Sequence, residues 1–294
     1  MEILKLFEDS LAYPMKDWNK LLKFGALILI MSIVSILGPI GFILSHLNVD
    51  IMVSGVNSIL AVLSILSTAI ILIIFGSIIS GYNLNITKNT INNVDSKIPE
   101  LNLAKNFIDG IKVVVLYIIY FIVPIIMALI IAYGTGLFHY MYQLGIILLT
   151  QGAIDLTYYP LLHGLDFSFR LVVAIAPIFF IVFGLLFLIG KAILAETGSL
   201  LEASNIVNIF KKIDEIGWGD YIAWLIMAMV ILMVIFIFTS FVTIIPLIGI
   251  IIAILVLIPY VNMFGARAIG LIYNESKISS SNNESKISSS NNGD

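Results

Sequence analysis

Residues 221–245 read YIAWLIMAMVILMVIFIFTSFVTII, a run of 25 residues that contains no charged side chain. A helix rises about 1.5 Å per residue, so this run is long enough to cross a bilayer core of about 30 Å. The run is rich in β-branched residues but far exceeds the usual length of a strand. It therefore predicts a transmembrane helix from Tyr221 to Ile245.

Five further runs share this length and this lack of charge. They are Phe24 to Leu47, Ile51 to Gly81, Val113 to Tyr133, Leu171 to Gly190 and Leu247 to Ala266. The whole chain is 60% hydrophobic and only 11% charged, which is far outside the range of soluble globular proteins. We therefore expect an all-α, polytopic membrane helical bundle with about six transmembrane helices.

A seventh apolar stretch, Leu137 to Ala153, is shorter and contains polar residues such as His139 and Gln143. Its 17 residues lie at the lower limit for a spanning helix. If this stretch crossed, the basic pair Lys211 and Lys212 would lie opposite the other basic loops. The sequence therefore predicts an interfacial or re-entrant segment on the outer side.

The basic residues predict the orientation, because short cytoplasmic loops carry an excess of Lys and Arg. With six spans, fourteen of the fifteen basic residues lie on one side and only Arg170 lies on the other. The fourteen are Lys5, Lys16, Lys20, Lys23, Lys88, Lys97, Lys105, Lys112, Lys191, Lys211, Lys212, Arg267, Lys277 and Lys286. We expect a multipass protein of the cell membrane with both termini in the cytoplasm.

Amphipathic stretches precede spans one, three and five on the predicted cytoplasmic side. In the third, Ser199 and Glu202 form a capping-box pattern. Its apolar stripe consists of Leu200, Ala203, Val207 and Phe210. The second stretch is expected to end at a break at Gly110, where Asp109 and Lys112 can pair or cap, and the first ends at Pro14. These three surface helices, each with a hairpin, would form an internal pseudo-repeat.

The end of the chain is polar and repetitive. NESKISSSN occupies residues 274–282 and recurs letter for letter at 283–291. This composition buries too little apolar area to offset the entropy of ordering. The sequence predicts a single integral membrane domain over 1–273 and a disordered tail over 274–294.

Few residues of the sequence suggest catalysis or the binding of a cofactor or metal ion. Ionisable residues are missing from the span centres, and Lys191 and Arg267 are placed to reach the headgroups by snorkelling. The chain has no cysteine and no phosphate-binding loop, HExxH pair or GxSxG elbow. A net charge of −3 does not suggest a nucleic-acid partner. We expect no cofactor, and no residue is assigned to catalysis, cofactor binding or metal binding.

One group of side chains on the predicted outer side is worth testing as a site. It consists of His139, Asp155, His163 and Asp166, whose imidazoles and carboxylates can ligate a metal or act as acid and base. Their spacing matches no ligand motif, and outer loops need polar residues in any case. The ordinary loop interpretation is therefore preferred.

The order of several short motifs resembles an archaeal family catalogued as domain of unknown function 4013. The motifs are Ala12-Tyr13-Pro14, Asp17-Trp18, Gly81-Tyr82, Pro99-Glu100, Phe107-Ile108-Asp109-Gly110-Ile111-Lys112, Tyr120, Pro124 and Asp220-Tyr221 with Trp224. The similarity extends over most of Leu4 to Tyr273. It implies a multipass archaeal membrane protein without an established activity or catalytic residues to transfer.

Three classes of function stay open. The preferred one is a non-enzymatic envelope protein that contacts the lipid bilayer and whose cytoplasmic surface helices bind anionic lipid or a protein partner. The alternative is a transporter or channel for an uncharged or lipid-like substrate. An intramembrane enzyme would have to use the outer histidine and aspartate group.

Overall fold

The computed structural model describes residues 3–47, 54–92, 97–151 and 158–290, with side chains described over 3–36, 62–92, 97–150 and 158–275. Within these ranges the chain is helical and forms no strand. The helices are α1 (Ile3–Ala12), α2 (Trp18–Leu47), α3 (Ser54–Asn92), α4 (Leu103–Gly134), α5 (Leu137–Gln151), α6 (Tyr159–Thr197), α7 (Leu200–Ser204), α8 (Ile206–Ile216), α9 (Trp218–Thr243), α10 (Ile248–Ile252) and α11 (Ile258–Ser290). A 3₁₀ turn (Tyr13–Lys16) follows α1, and a π-helical turn (Ala253–Leu257) joins α10 to α11.

Six segments of the described chain are helical, long and apolar enough to cross a membrane. They are Trp18–Ile36, Val62–Asn92, Leu103–Gly134, Tyr159–Thr197, Trp218–Thr243 and Ile248–Glu275. The prediction of an all-α bundle with six spans is confirmed. Helix α5 is apolar but has only 15 residues, which is short for a span. Its re-entrant or interfacial position stays a prediction.

The predicted break before the third span is wrong. Helix α4 begins at Leu103 and continues through Gly110 without interruption, so the second amphipathic stretch is not a separate surface helix. A Cβ at Gly110 would overlap the carbonyl group of Ser77 on α3. The glycine therefore permits close packing of two helices. Asp109 accepts a hydrogen bond from Asn85 on α3 at 3.2 Å, whereas Lys112 donates to the Gly198 carbonyl at 3.4 Å.

Residues 1–114 and 189–294 form one compact unit. Its apolar core is built mainly by α2, α3 and α11, where the Phe24 and Tyr82 rings lie 4.6 Å apart. The buried members of this core are Tyr13, Leu21, Phe24, Leu27, Ile28, Ile78, Tyr82, Ile86, Ile98, Met263 and Ala266. Gly25 permits close approach of α2 to the π-helical turn, because a Cβ there would overlap the Leu255 carbonyl.

Residues 115–188 form a second compact unit from the end of α4, all of α5 and most of α6. Phe121 stacks with Tyr117 at 4.2 Å between ring centroids and meets the edge of Phe187 at 5.8 Å. Ser168 is buried and donates a hydrogen bond to the Thr135 carbonyl at 2.7 Å. Stacked and edge-on aromatic pairs of this kind add stability beyond their buried area.

Helix α11 continues into the tandem repeat and ends at Ser290. The sequence predicts disorder from residue 274 onward, and the side chains beyond Glu275 lie outside the described residues. Disorder of the tail in solution therefore stays a prediction, and so does the internal pseudo-repeat.

Candidate functional site in the surface-helix layer

The first compact unit contains a group of short helices that we call the surface-helix layer. It comprises α1, the 3₁₀ turn, α7, α8 and residues Arg267 to Tyr273 of α11. Helix α1 ends at Ala12, just before Pro14, as predicted. Proline has a fixed φ and no backbone N–H, so it fits the start of the 3₁₀ turn but not the interior of an α-helix. Phe7 anchors α1 by packing against the rings of Trp224 and Phe264 at 6.2 and 6.1 Å.

Arg267 lies inside this layer, and the prediction that it snorkels to the headgroups is wrong. Its side chain is only 1% exposed and binds the Asp9 carboxylate through Nη2 at 2.6 Å and Nε at 2.7 Å. The guanidinium also donates to the Thr90 hydroxyl at 3.3 Å and lies 4.8 Å from the Tyr13 ring centroid. A buried guanidinium needs such partners because an unpaired buried charge is costly.

Burial and the charge of Arg267 shift the pKa values of two neighbouring side chains, Asp9 and Tyr13. Burial alone would raise the pKa of Asp9, but hydrogen bonds and charge from Arg267 and Lys16 outweigh it, so the pKa is lowered. Burial raises the pKa of the Tyr13 hydroxyl to about 12. That hydroxyl is fully buried and has no hydrogen-bond partner among the described residues. The cluster therefore joins α1 to α11 through the Asp9–Arg267 ion pair and contains one hydroxyl, that of Tyr13, without a hydrogen-bond partner among the described residues.

The predicted third surface helix is present, but it is divided. The Ser199 hydroxyl caps α7 by accepting from the Glu202 amide at 3.3 Å, as the capping-box pattern predicts. Asn205 then caps α8 by accepting from the Val207 amide at 3.0 Å. An asparagine side chain competes well for backbone amides, which explains why a second helix starts here.

The predicted apolar stripe of this region is only partly correct. Ala203 of that stripe is buried, whereas Val207 and Phe210 are exposed. The buried positions of α8 are Ile209, Ile213 and Ile216, and this face packs against α11. The prediction was wrong for Val207 and Phe210 because α8 has apolar residues on two neighbouring flanks, and the spacing of apolar residues does not show which flank α11 covers.

The uncovered flank of α8 presents Ile206, Val207 and Phe210, with Val207 73% exposed. The Phe210 ring lies 5.9 Å from the ring of Trp218, which is also exposed. Gly217, with φ of 96°, is the single residue between the end of α8 and the start of α9. Glycine suits this sharp turn because it adopts positive φ without strain.

The polar flank of α8 lines a cavity of about 180 Å³. Its polar lining consists of Glu196, Thr197, Glu202, Asn208, Lys211, Lys212, Glu215 and Tyr273. The Tyr273 hydroxyl donates to Glu196 at 2.6 Å, and Lys212 pairs with Glu215 at 2.8 Å. Sequence reasoning missed this cavity, because its residues come from α6, α7, α8 and α11 and form no motif.

The group of His139, Asp155, His163 and Asp166, which the sequence places on the outer side, is not brought together in the same way. His139 bonds to Gln143 at 2.9 Å, His163 lies against Tyr159, and Asp166 pairs with Arg170 at 2.8 Å. Asp155 lies outside the described residues. Across the described ranges, no three His, Asp or Glu side chains are grouped to hold a metal ion.

Comparison with known proteins gives one family match. A family described as a protein of unknown function, DUF4013, matches residues 62–244. No curated protein and no solved structure matches the chain. The match includes α7, α8 and all of α9, whereas Asp9, Arg267 and Tyr273 lie outside it.

Proposed function

The chain belongs to the DUF4013 family of proteins of unknown function, and we propose that it is a non-enzymatic protein of the cell membrane whose surface-helix layer binds lipid. The observation that supports this proposal is the second apolar flank of α8. That flank is exposed although α8 already buries a full apolar face against α11.

The position of α8 limits what can cover this flank. Only Gly217 separates α8 from α9, which is long and apolar enough to span the membrane. A helix joined so closely to a span lies at the level of the lipid headgroups. An amphipathic helix there buries its apolar side by several ångströms at the boundary with the acyl chains. Phe210 and Trp218 are aromatic residues of the kind enriched at that boundary.

We place this layer on the cytoplasmic side, in keeping with the distribution of lysines. Six crossings return both ends of the domain to the same side, and nearly all basic residues are on that side. Anionic lipids are the favoured partners, since each basic residue near a charged leaflet contributes about 1 kcal/mol. A protein partner would have to compete with lipid for the same flank of α8. The archaeal origin implied by the motif resemblance remains part of this proposal.

The proposal is tested by comparing two flanks of one helix in the cysteine-free chain. Ile206→Cys places a spin label on the apolar flank, and Lys211→Cys places one well round the helix on the polar flank. In reconstituted vesicles, the label at 206 should be more accessible to oxygen and the label at 211 to a water-soluble nickel chelate. Equal accessibility of both labels to the nickel chelate would contradict the proposal.

Orientation needs a separate test with an outer and an inner position. Ser168 is buried, so a cysteine there would report poorly, whereas Tyr159 is exposed. In intact cells, a membrane-impermeant thiol reagent should label Tyr159→Cys but not Lys211→Cys, and should label both after the membrane is opened. The reverse pattern in intact cells would overturn the cytoplasmic placement.

A carrier for a lipid-like substrate is the second candidate, and a groove favours it. This groove has a cavity of about 370 Å³ between α9, the π-helical turn and α11, lined by Leu232, Ile235, Phe236, Thr239, Leu257, Ile258, Val261 and Asn262. Asn262 accepts a hydrogen bond from Asn83 at 2.8 Å. π-Helical turns often occur at functional sites, and the cavity is large enough for part of a lipid chain.

Reconstitution separates the two candidates. A carrier should move a fluorescent lipid between leaflets, and Val261→Trp, which fills the groove, should abolish that movement. Val115→Trp changes an exposed apolar residue of a span outside the groove and should have no effect. Absence of movement in the wild-type protein would reject the carrier and leave the lipid-binding proposal unaffected.

A further inference from the structure

The cavity on the polar flank of α8 has charges of both signs in its lining. Two of its members already have partners, since Lys212 pairs with Glu215 at 2.8 Å and lies 5.5 Å from the Tyr273 ring centroid. Two others do not. Among the described residues, neither the Lys211 ammonium nor the Glu202 carboxylate has a hydrogen-bond or ion-pair partner. The cavity therefore combines an available cation with an available anion.

The paired residues hold the cavity in shape. Tyr273 is fully buried and donates to Glu196 at 2.6 Å, which joins α11 to the end of α6. Lys212 and Glu215 are each largely buried and lie one turn apart on α8. Ligand contacts made at such a site lose less entropy than contacts made by side chains that are free to move.

The volume limits the ligand. A cavity of about 180 Å³ is smaller than the range of about 300–1,000 Å³ that holds drug-sized ligands and cofactors. It is too small to enclose a nucleotide or a dinucleotide, but it accepts a group of a few heavy atoms. The lining is too polar for an acyl chain, since five of its nine residues are charged.

We propose that this cavity binds a small zwitterion in which an ammonium is joined to a phosphate, the chemistry of an ethanolamine phosphate group. Lys211 and the Asn208 amide bind the phosphate, and Glu202 with Glu196 binds the ammonium. Phosphate is preferred over carboxylate because α8 is tethered to a span at headgroup level. The preference for phosphate rests on the proposed headgroup-level position of α8, whereas the site itself does not require insertion of the apolar flank.

Direct binding to the purified full-length chain in detergent tests the proposal. Isothermal titration with phosphoethanolamine should show saturable binding, with ethanolamine, inorganic phosphate and glycine each binding at least about tenfold more weakly. Lys211→Gln and Glu202→Gln should each weaken phosphoethanolamine by about tenfold, since each removes one charge-assisted contact. Inorganic phosphate or glycine binding as tightly as phosphoethanolamine would overturn the assignment.

Matched controls remove one charge elsewhere on the first unit. Lys23→Gln and Glu8→Gln change exposed residues outside the cavity and should leave binding unchanged. If the cavity variants and these controls weaken binding equally, the proposal fails. The melting temperature of each variant shows whether it is folded, and Asn208→Asp, which places a negative charge beside the phosphate, provides a further variant that should abolish binding.

The source of the zwitterion is resolved with lipid nanodiscs. Nanodiscs containing phosphatidylethanolamine should compete with free phosphoethanolamine if a lipid headgroup enters the cavity, and nanodiscs with phosphatidylglycerol should not. Equal titrations in the two kinds of nanodisc indicate a soluble ligand. Either result supports the ammonium–phosphate site, whereas absence of saturable phosphoethanolamine binding in detergent and in nanodiscs rejects it. That rejection would leave the spin-label test of the apolar flank unaffected.

Discussion

Ionisable residues are used differently in the surface-helix layer and in the histidine segment, by which we mean residues 137–151 and 158–170. In the layer, Arg267 binds Asp9 across 258 residues of sequence, and Tyr273 binds Glu196 across 77. In the histidine segment, the polar contacts of His139 and Asp166 are with the residue four positions along the same helix.

This difference separates residues that hold distant helices together from residues that contact only their own helix. Contacts four residues apart form in any helix and contribute little. Contacts between distant helices require the whole unit to be folded, and a buried charge among them is costly to leave unpaired. The histidines suggested chemical function in the histidine segment, yet it is the surface-helix layer that contains charged residues paired between distant helices.

The largest expected effect is the loss of the charge on Asp9. Asp9→Asn leaves the buried guanidinium of Arg267 without its anion and should cost about 2 kcal/mol of unfolding free energy in detergent. The cost is below that of a fully enclosed pair because about a third of the Asp9 side chain is exposed. The matched change in the histidine segment, Asp166→Asn, should leave the melting temperature unchanged. Equal losses of stability in Asp9→Asn and Asp166→Asn would contradict the difference proposed between the two regions.

Two glycines provide the next test. A Cβ at Gly270 would come within 2.6 Å of the Thr90 side chain, which is buried and bonded to Arg267. Gly270→Ala should therefore destabilise by about 1–2 kcal/mol through overpacking. Gly145 of α5 has open space around it, so Gly145→Ala should be neutral or stabilising. Thermal unfolding of both variants checks this, and a destabilised Gly145→Ala would show that α5 packs more closely than described.

The Asp9 pair also predicts a dependence on pH. The folded-state pKa of Asp9 lies below the ordinary value of 3.8, so its stabilising effect is complete above that value and is lost as the pH falls through the folded pKa. The difference in unfolding free energy between wild type and Asp9→Asn should be constant from pH 7 to 5 and shrink below pH 4. A difference that disappears near neutral pH would point to another titrating group.

A smaller effect, of opposite sign, is expected at Tyr13. Its hydroxyl is buried without a partner among the described residues, so Tyr13→Phe removes an unsatisfied polar group and keeps the ring beside Arg267. The variant should be as stable as wild type or up to about 1 kcal/mol more stable. A clear loss of stability in chemical unfolding would reveal a bound water or another partner at that hydroxyl.

The smallest effect is expected at the end of the chain. Deleting residues 276–294 should leave membrane insertion and the melting temperature unchanged, because this polar part of the chain buries too little apolar area to stabilise the fold. The measurements are membrane fractionation and thermal unfolding of the truncated chain beside the full one. A substantial drop in melting temperature would show that the part of α11 beyond Glu275 is docked.

The sequence alone determined the membrane class, the helical fold and the six spans. Those features follow from long uncharged runs such as 221–245. In the hydrocarbon core of a bilayer there is no water to bind the backbone, so a single spanning segment satisfies its backbone hydrogen bonds by forming a helix. The Ser199 cap and the end of α1 before Pro14 were also predictable, because caps and prolines act over a few neighbouring residues. The family match over 62–244 confirms the family named from short motifs, but it covers less of the chain than the expected Leu4 to Tyr273.

Only the tertiary structure decided which polar groups meet. Arg267 looked like an ordinary snorkelling residue, because nothing near it in sequence shows that Asp9 is its partner. Gly110 looked like a break, because a glycine that ends a helix and a glycine that lets two helices touch are the same letter. The cavity of Lys211, Glu202 and Tyr273 draws on four helices. The local sequence pattern predicts the secondary structure of a segment. The burial of its side chains and their ion pairs depend on which distant residues the tertiary structure places next to them.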